Sequence, residues 1–152
     1  MKWLKRILIG IVVIALIIVG AWYYATDSAS KLTEYDFGAD KIRSINAVIG
    51  ETRKVSGVST GVSASTSGST QYKQYDYETE SMLKDLTTYW STYLQSNGWR
   101  PLKDFNLNTG SGEMQIAKES ADNGKILIMS IAFEQGRYAI KITKGEGTLT
   151  NK

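Results

Sequence analysis

The sequence predicts an α+β protein: an N-terminal transmembrane helix, then one small domain with an antiparallel β-meander packed against a long amphipathic helix. Three features predict it. Ile7 to Ala25 is an uninterrupted apolar run without a charge. Met82, Leu83, Leu86, Tyr89, Trp90, Tyr93 and Leu94 recur at helical spacing. Beyond them, alternating apolar stretches are separated by Gly-Ser-Gly, Asp-Asn-Gly and Glu-Gln-Gly turns.

The apolar run is long enough to cross a bilayer, since about 20 residues rising ~1.5 Å each span a ~30 Å hydrocarbon core. Trp3 and Trp22 bracket it, roughly 28 Å apart on a helix, near the two interfaces. Tyr23 and Tyr24 widen the outer aromatic belt. Lys2, Lys5 and Arg6 precede the run, which predicts a cytoplasmic N-terminus and an extracytoplasmic remainder. The expected organisation is a basic flank over 1–6, a signal-anchor over 7–25, a polar stalk over 26–40 and a domain over 41–152. The alternative is secretion after signal-peptide cleavage, for which Val19-Gly20-Ala21 has the required small residues.

The 152 residues contain 18 Lys plus Arg, 15 Asp plus Glu, and neither His nor Cys. Three of the basic residues lie in positions 1–6, so the rest of the chain is formally neutral. No basic run or basic–aromatic stripe follows Arg6, and nucleic acid is not an expected partner. Without thiols or imidazoles there is no disulfide, no Ser-His-Asp triad and none of the preferred zinc ligands. No cofactor, metal or enzymatic activity is expected.

Within the domain, Ile42, Ile45, Val48 and Ile49 suggest a short helix between Asp40 and Gly50. Positions 56–70 hold six Ser, three Gly and three Thr, which reads as two polar strands joined by a tip at Ser67-Gly68-Ser69. Tyr75 and Tyr77 alternate with polar residues as a half-buried strand does. The helix runs from about Glu80 to Ser96, with Thr79 or Ser81 as cap and Asn97-Gly98 as stop. Arg100 to Leu107 is extended and contains the single proline, Pro101. Met114 and Ile116 face inward on the next strand. Residues 126–133 are apolar on both faces, which predicts a central strand with something covering each side. Tyr138, Ile140 and Ile142 alternate on the last.

Four patterns bear on chemistry. Ser81-Met82-Leu83-Lys84 has the Ser-x-x-Lys spacing of a serine nucleophile and its lysine, but Met82 and Leu83 belong to the helix stripe. Asp104, Asn106, Asn108, Gly110 and Glu113 resemble the opening of a Ca²⁺ loop, with the glycine and the acid out of place. Asp76, Glu78 and Glu80 are carboxylates at a strand-to-helix corner, the basis for an alternative reading as an envelope-polymer hydrolase. Tyr72, Tyr75, Tyr77 and Trp99 are candidates for a ligand or partner surface, because exposed aromatic rings suit stacking on sugars or packing on protein.

The layout resembles the small, singly anchored or lipidated extracytoplasmic modules of Gram-positive bacteria, in architecture rather than in any motif. The expected function is therefore a membrane-anchored interaction module that docks with another membrane or envelope protein. A cell-wall glycan-binding module using the tyrosines is the alternative. The lipid bilayer is the expected partner of residues 7–25.

Overall fold

The computed structural model describes residues 2–66 and 68–149. The side chain of Lys2 and the residue Ser67, expected in the basic flank and the hairpin tip, lie outside that description, as do residues 150–152 of the expected domain. The architecture is α+β: a long apolar N-terminal helix followed by an antiparallel β-sheet domain.

Helix α1 (Lys2–Ser30) is longer than its apolar run. It passes Ala25 because the hydroxyls that follow are satisfied within the helix. Thr26 Oγ1 bonds the carbonyls of Trp22 and Tyr23, and Ser30 Oγ donates to the carbonyl of Thr26 at 2.8 Å. The stretch Trp3–Ser30 is long and apolar enough to cross a membrane, a test that a signal sequence also meets.

Residues 26–40 do not form the expected stalk. Thr26, Ala29 and Ser30 are buried in the domain. Strands β1 (Glu34–Phe37) and β2 (Asp40–Arg43) form a hairpin around Gly38, which has φ 74° and an N–H donated to Asp36 Oδ1. Tyr35, Phe37 and Ile42 thereby enter the core. Helix α2 (Ile45–Ile49) is correspondingly shorter than expected. Its cap is Ser44, whose Oγ accepts from Ala47 N, and Gly50 closes it in the left-handed conformation.

The six-stranded antiparallel sheet contains β3 (Lys54–Ser65), β4 (Gly68–Glu78), β5 (Arg100–Pro101), β6 (Gly112–Glu119), β7 (Lys125–Glu134) and β8 (Arg137–Glu146), in the order β3-β4-β8-β7-β6-β5. The last three make the meander, and β8 pairs back to β4. Strand period fixes the faces. Leu127, Met129, Ile131 and Phe133 share one face with Tyr138, Ile140 and Ile142 of β8 and with Tyr75 and Tyr77 of β4. Beyond Pro101 the stretch 102–107 is irregular rather than extended.

Helix α3 (Met82–Tyr89) lies on that same face and continues through a wider turn (Trp90–Leu94) and a tight one (Gln95–Asn97) to Gly98, φ 81°. Trp99 folds back, its N–H reaching the carbonyl of Leu94. The stripe is buried at Met82, Leu86, Tyr89 and Leu94, whereas Leu83, expected in it, points to solvent. Ser81 makes no side-chain cap; Thr79 Oγ1 accepts the N–H of Ser81 instead.

Core face and open face differ sharply. The β1–β2 hairpin, α2 and α3 all cover the first. On the second, Ile126, Ile128, Ser130, Ala132, Ala139, Lys141 and Thr143 stand half-buried or exposed, while Ala117, opposite Ile128, is buried. The cover expected on both sides of 126–133 is present on one only.

Candidate functional site

The proposed aromatic surface is redistributed by strand parity. Tyr75 is 5% exposed, Tyr77 1% and Trp99 3%. Tyr75 stacks on Tyr35 at 4.8 Å between centroids, Tyr77 stacks on Tyr138 at 5.1 Å, and Tyr77 Oη shares a 2.7 Å hydrogen bond with Tyr35 Oη. Burial raises the Tyr35 and Tyr77 hydroxyls well above the ordinary tyrosine range, so both stay protonated. These residues are core and not a stacking platform. Tyr72, out of phase with them, lies half-buried on the open face, with Lys141 Nζ 4.9 Å from its ring centroid. Its ring lies over Gly61, where a Cβ would come within 2.4 Å of it.

The polar residues that organise the domain lie elsewhere, in two clusters. The first joins α1 to the sheet. Ser30 Oγ accepts the N–H of Val55 at 2.8 Å, and Ser30 O accepts from Asn46 Nδ2 at 2.9 Å. Asn46 also bridges to Arg53, donating from Nδ2 to its carbonyl and accepting its N–H on Oδ1, both at 3.1 Å. The Arg53 guanidinium then grips Asp85 of α3 through two hydrogen bonds, 2.7 and 2.9 Å. Asp85 is 2% exposed, and Glu51 also pairs with Arg53 at 2.6 Å. The hydrogen bond the guanidinium donates to Asp85, stronger than the opposing effect of burial, raises its pKa further. One connected network thus runs from the apolar helix to α2, β3 and α3.

The second cluster fastens the β1–β2 hairpin. Lys144 Nζ is buried on the core face, 2.7 Å from Asp40, 2.6 Å from Asp122 and 2.9 Å from the carbonyl of Phe37. Asp40 accepts further bonds from Ser120 Oγ and Ala121 N. Burial acts to raise the Asp40 carboxyl and is outweighed by Lys144, Ser120 and Ala121, leaving it below the ordinary range. Burial likewise acts to lower Lys144, and its two carboxylate partners reverse the sign.

Both clusters carried a sequence signal that periodicity makes visible afterwards. Asp85 sits inside the apolar stripe between Met82 and Tyr89, and Lys144 continues the inward phase of Tyr138, Ile140 and Ile142. A charge at an apolar register position points to a buried pair. Ser30 and Asn46 carry no such mark.

A cleft of about 570 Å³ opens at the end of the sheet beside the β7–β8 turn. Asp76, Glu78, Glu134 and Arg137 line it with Ala132 and Phe133. Arg137 pairs with Glu134 at 2.7 Å. Glu80 does not line this cleft. Asp104, Asn106 and Asn108 lie in the irregular segment, where Asn106 Oδ1 accepts the N–H of Asn108, an ordinary turn contact. Among the described residues no three of His, Cys, Asp and Glu are grouped as metal ligands. Trp3, Trp22, Tyr23 and Tyr24 are exposed on α1, as are Lys5 and Arg6.

Comparison of the chain with protein-family models, curated protein sequences and solved structures gives no match.

Proposed function

We propose that this chain is a membrane-anchored interaction module whose domain lies on the extracytoplasmic side and docks with another membrane or envelope protein. One observation carries the reading. The apolar helix continues without a break into the domain, and its last turn is bonded into the same network as α2, β3 and α3. A domain on a flexible stalk samples many orientations. A domain continuous with its anchor presents fixed surfaces to neighbours in the same membrane, which lowers the orientational cost of docking. The basic flank at Lys5 and Arg6, the neutral remainder and the open sheet face support the same reading.

Two measurements test it. The chain lacks cysteine, so Gln135→Cys introduces a unique thiol at the exposed β7–β8 turn. A membrane-impermeant maleimide should label it in intact cells; labelling only after permeabilisation refutes the topology. Full-length protein in detergent should not co-sediment with purified cell-wall sacculi. Co-sedimentation abolished by Tyr72→Ala would instead favour the glycan reading, which now rests on that one ring.

The hydrolase reading retains one specific observation, the place of Glu78 and Asp76 in the cleft beside the β7–β8 turn. It predicts release of soluble fragments from sacculi, lost in Glu78→Gln. No release by the wild-type chain ends that reading.

A further inference from the structure

The free strand edges of this fold are not alike. At one end of the sheet β5 is two residues long, Arg100 and Pro101, and the neighbouring β6 carries Glu113, Lys118 and Glu119. The β1–β2 hairpin is charged along both strands. These are the ordinary devices that stop a strand edge from pairing further: shortness, proline and charge. The other end is β3, twelve residues long, and no residue from Val55 to Tyr72 is charged or proline.

Over residues 56–64, strand β3 pairs only with β4, and among the described residues no backbone–backbone hydrogen bond outside that ladder reaches this stretch. In an antiparallel ladder alternate residues direct N–H and C=O away from the partner. The edge therefore presents a row of donors and acceptors to solvent. Its side chains match: Val58 and Val62 share one face with Thr60 between them, and Val62 is 74% exposed. The row has a defined start, because α1 packs on the base of β3 and Ser30 Oγ takes the N–H of Val55.

The geometry points to β3, over residues 56–64, as a strand-addition site for an extended, uncharged, β-branched segment of another envelope protein. This deepens the docking reading above and rests on it. The backbone itself specifies the ligand class, since only another strand repeats donors and acceptors at the spacing that the edge offers. The nine residues give about 30 Å of ladder. Apolar or β-branched partner side chains are favoured beside Val58, Thr60 and Val62, whereas a charged segment finds no counter-charge on β3. The bonds between α1 and β3 fix the site at a constant height above the lipid, so the segment must come from a partner near the same membrane.

The test places a photo-crosslinking amino acid singly at Val58, Thr60 and Val62 of the full-length chain in its own membrane, with Leu83 and Ala132 as comparison positions. The expected result is that adducts from the three β3 positions fall on one segment of one protein, their attachment points stepping by two residues. With the crosslinker at Val58, Val62→Lys should reduce the adduct about tenfold while the melting temperature holds, because Val62 is exposed. Adducts joining two copies of this chain overturn the inference in favour of edge-to-edge self-pairing, and adducts scattered over unrelated segments overturn it outright. Adducts from Ala132 but none from β3 defeat the strand-addition site while leaving the docking reading standing on the open face. Silence at all five positions defeats both.

Discussion

Replacing Asn46 by alanine removes the side chain that ties the end of α1 to the rest of the domain. The Asn46 amide makes three hydrogen bonds, to Ser30 O, Arg53 O and Arg53 N, at 2.9 to 3.1 Å. Each contributes on the order of 1 kcal/mol, and the carbonyl of Ser30, at a helix end with no intrahelical partner, is left in a buried site. The expected loss is about 2–4 kcal/mol, a large part of the ~5–15 kcal/mol typical of a folded domain. Asn46→Asp should be at least as harmful despite its shape, because a carboxylate then faces two carbonyl oxygens. Two readouts separate local from global effects. Denaturant unfolding in micelles gives the free energy. Spin labels on Tyr24→Cys and Gln135→Cys, the only thiols present, give the distance between helix and domain. Wild type should show one narrow distance distribution and Asn46→Ala a broad one. A broad distribution in wild type would refute the rigid junction. A narrow one in Asn46→Ala, with less than about 0.5 kcal/mol lost, would refute the role given to Asn46.

Asp85→Ala removes the buried partner of Arg53, which keeps only the half-exposed Glu51, and should cost about 3 kcal/mol by denaturant unfolding. Lys144→Met leaves Asp40 buried without its cation and should cost a similar ~3 kcal/mol near neutral pH. The Asp40 carboxyl is depressed in the fold, so its contribution is present above its ordinary value of 3.8 and is lost as pH falls through the lower folded value. Lys144 is raised, so its contribution holds below 10.5 and is lost as pH climbs through the higher folded value. Thermal melts from pH 2 to 12 should fall at both ends, less steeply in Lys144→Met; equal slopes would contradict the pairing. Tyr77→Phe deletes one partner of the 2.7 Å bond to Tyr35 and should cost about 1–2 kcal/mol, with no change in helix content by circular dichroism.

Long-period features were legible in the sequence and short compensated ones were not. The apolar run, the helix from Met82 and the final meander each repeat a pattern over eight or more residues, and all three stand in the fold. The segment expected as a stalk shows why others are not legible. Its inward residues are Tyr35, Phe37, Asp40 and Ile42, with a turn interrupting the alternation and a buried acid at one inward position. That acid is matched by Lys144, more than a hundred positions away, and no local pattern announces such a match. The residue that caps the short helix is Ser44, a serine with no periodic mark, rather than the acid ahead of it. The tyrosines failed for a related reason. Parity along β4 separates Tyr72 from Tyr75 and Tyr77 correctly, yet which face is buried depends on the hairpin and α3 packing over it. The candidate site suffers most from this limit, since an open edge such as β3 is defined by what does not pair with it.

The unbroken course of α1 has a geometric consequence. A helix turns 100° and climbs ~1.5 Å with each residue. With no joint between Trp22 and the buried turn at Thr26, the number of residues between them sets the compass bearing of the domain about the helix axis. One inserted alanine would swing β3 by about 100°, a little over a quarter of a revolution, relative to the N-terminal part of the helix. Seven would return it to within about 20° of its first heading, some 10 Å higher. For the docking proposed above, spacing along the helix would matter as much as surface chemistry, and a silent-looking insertion there would redirect the domain without touching its core.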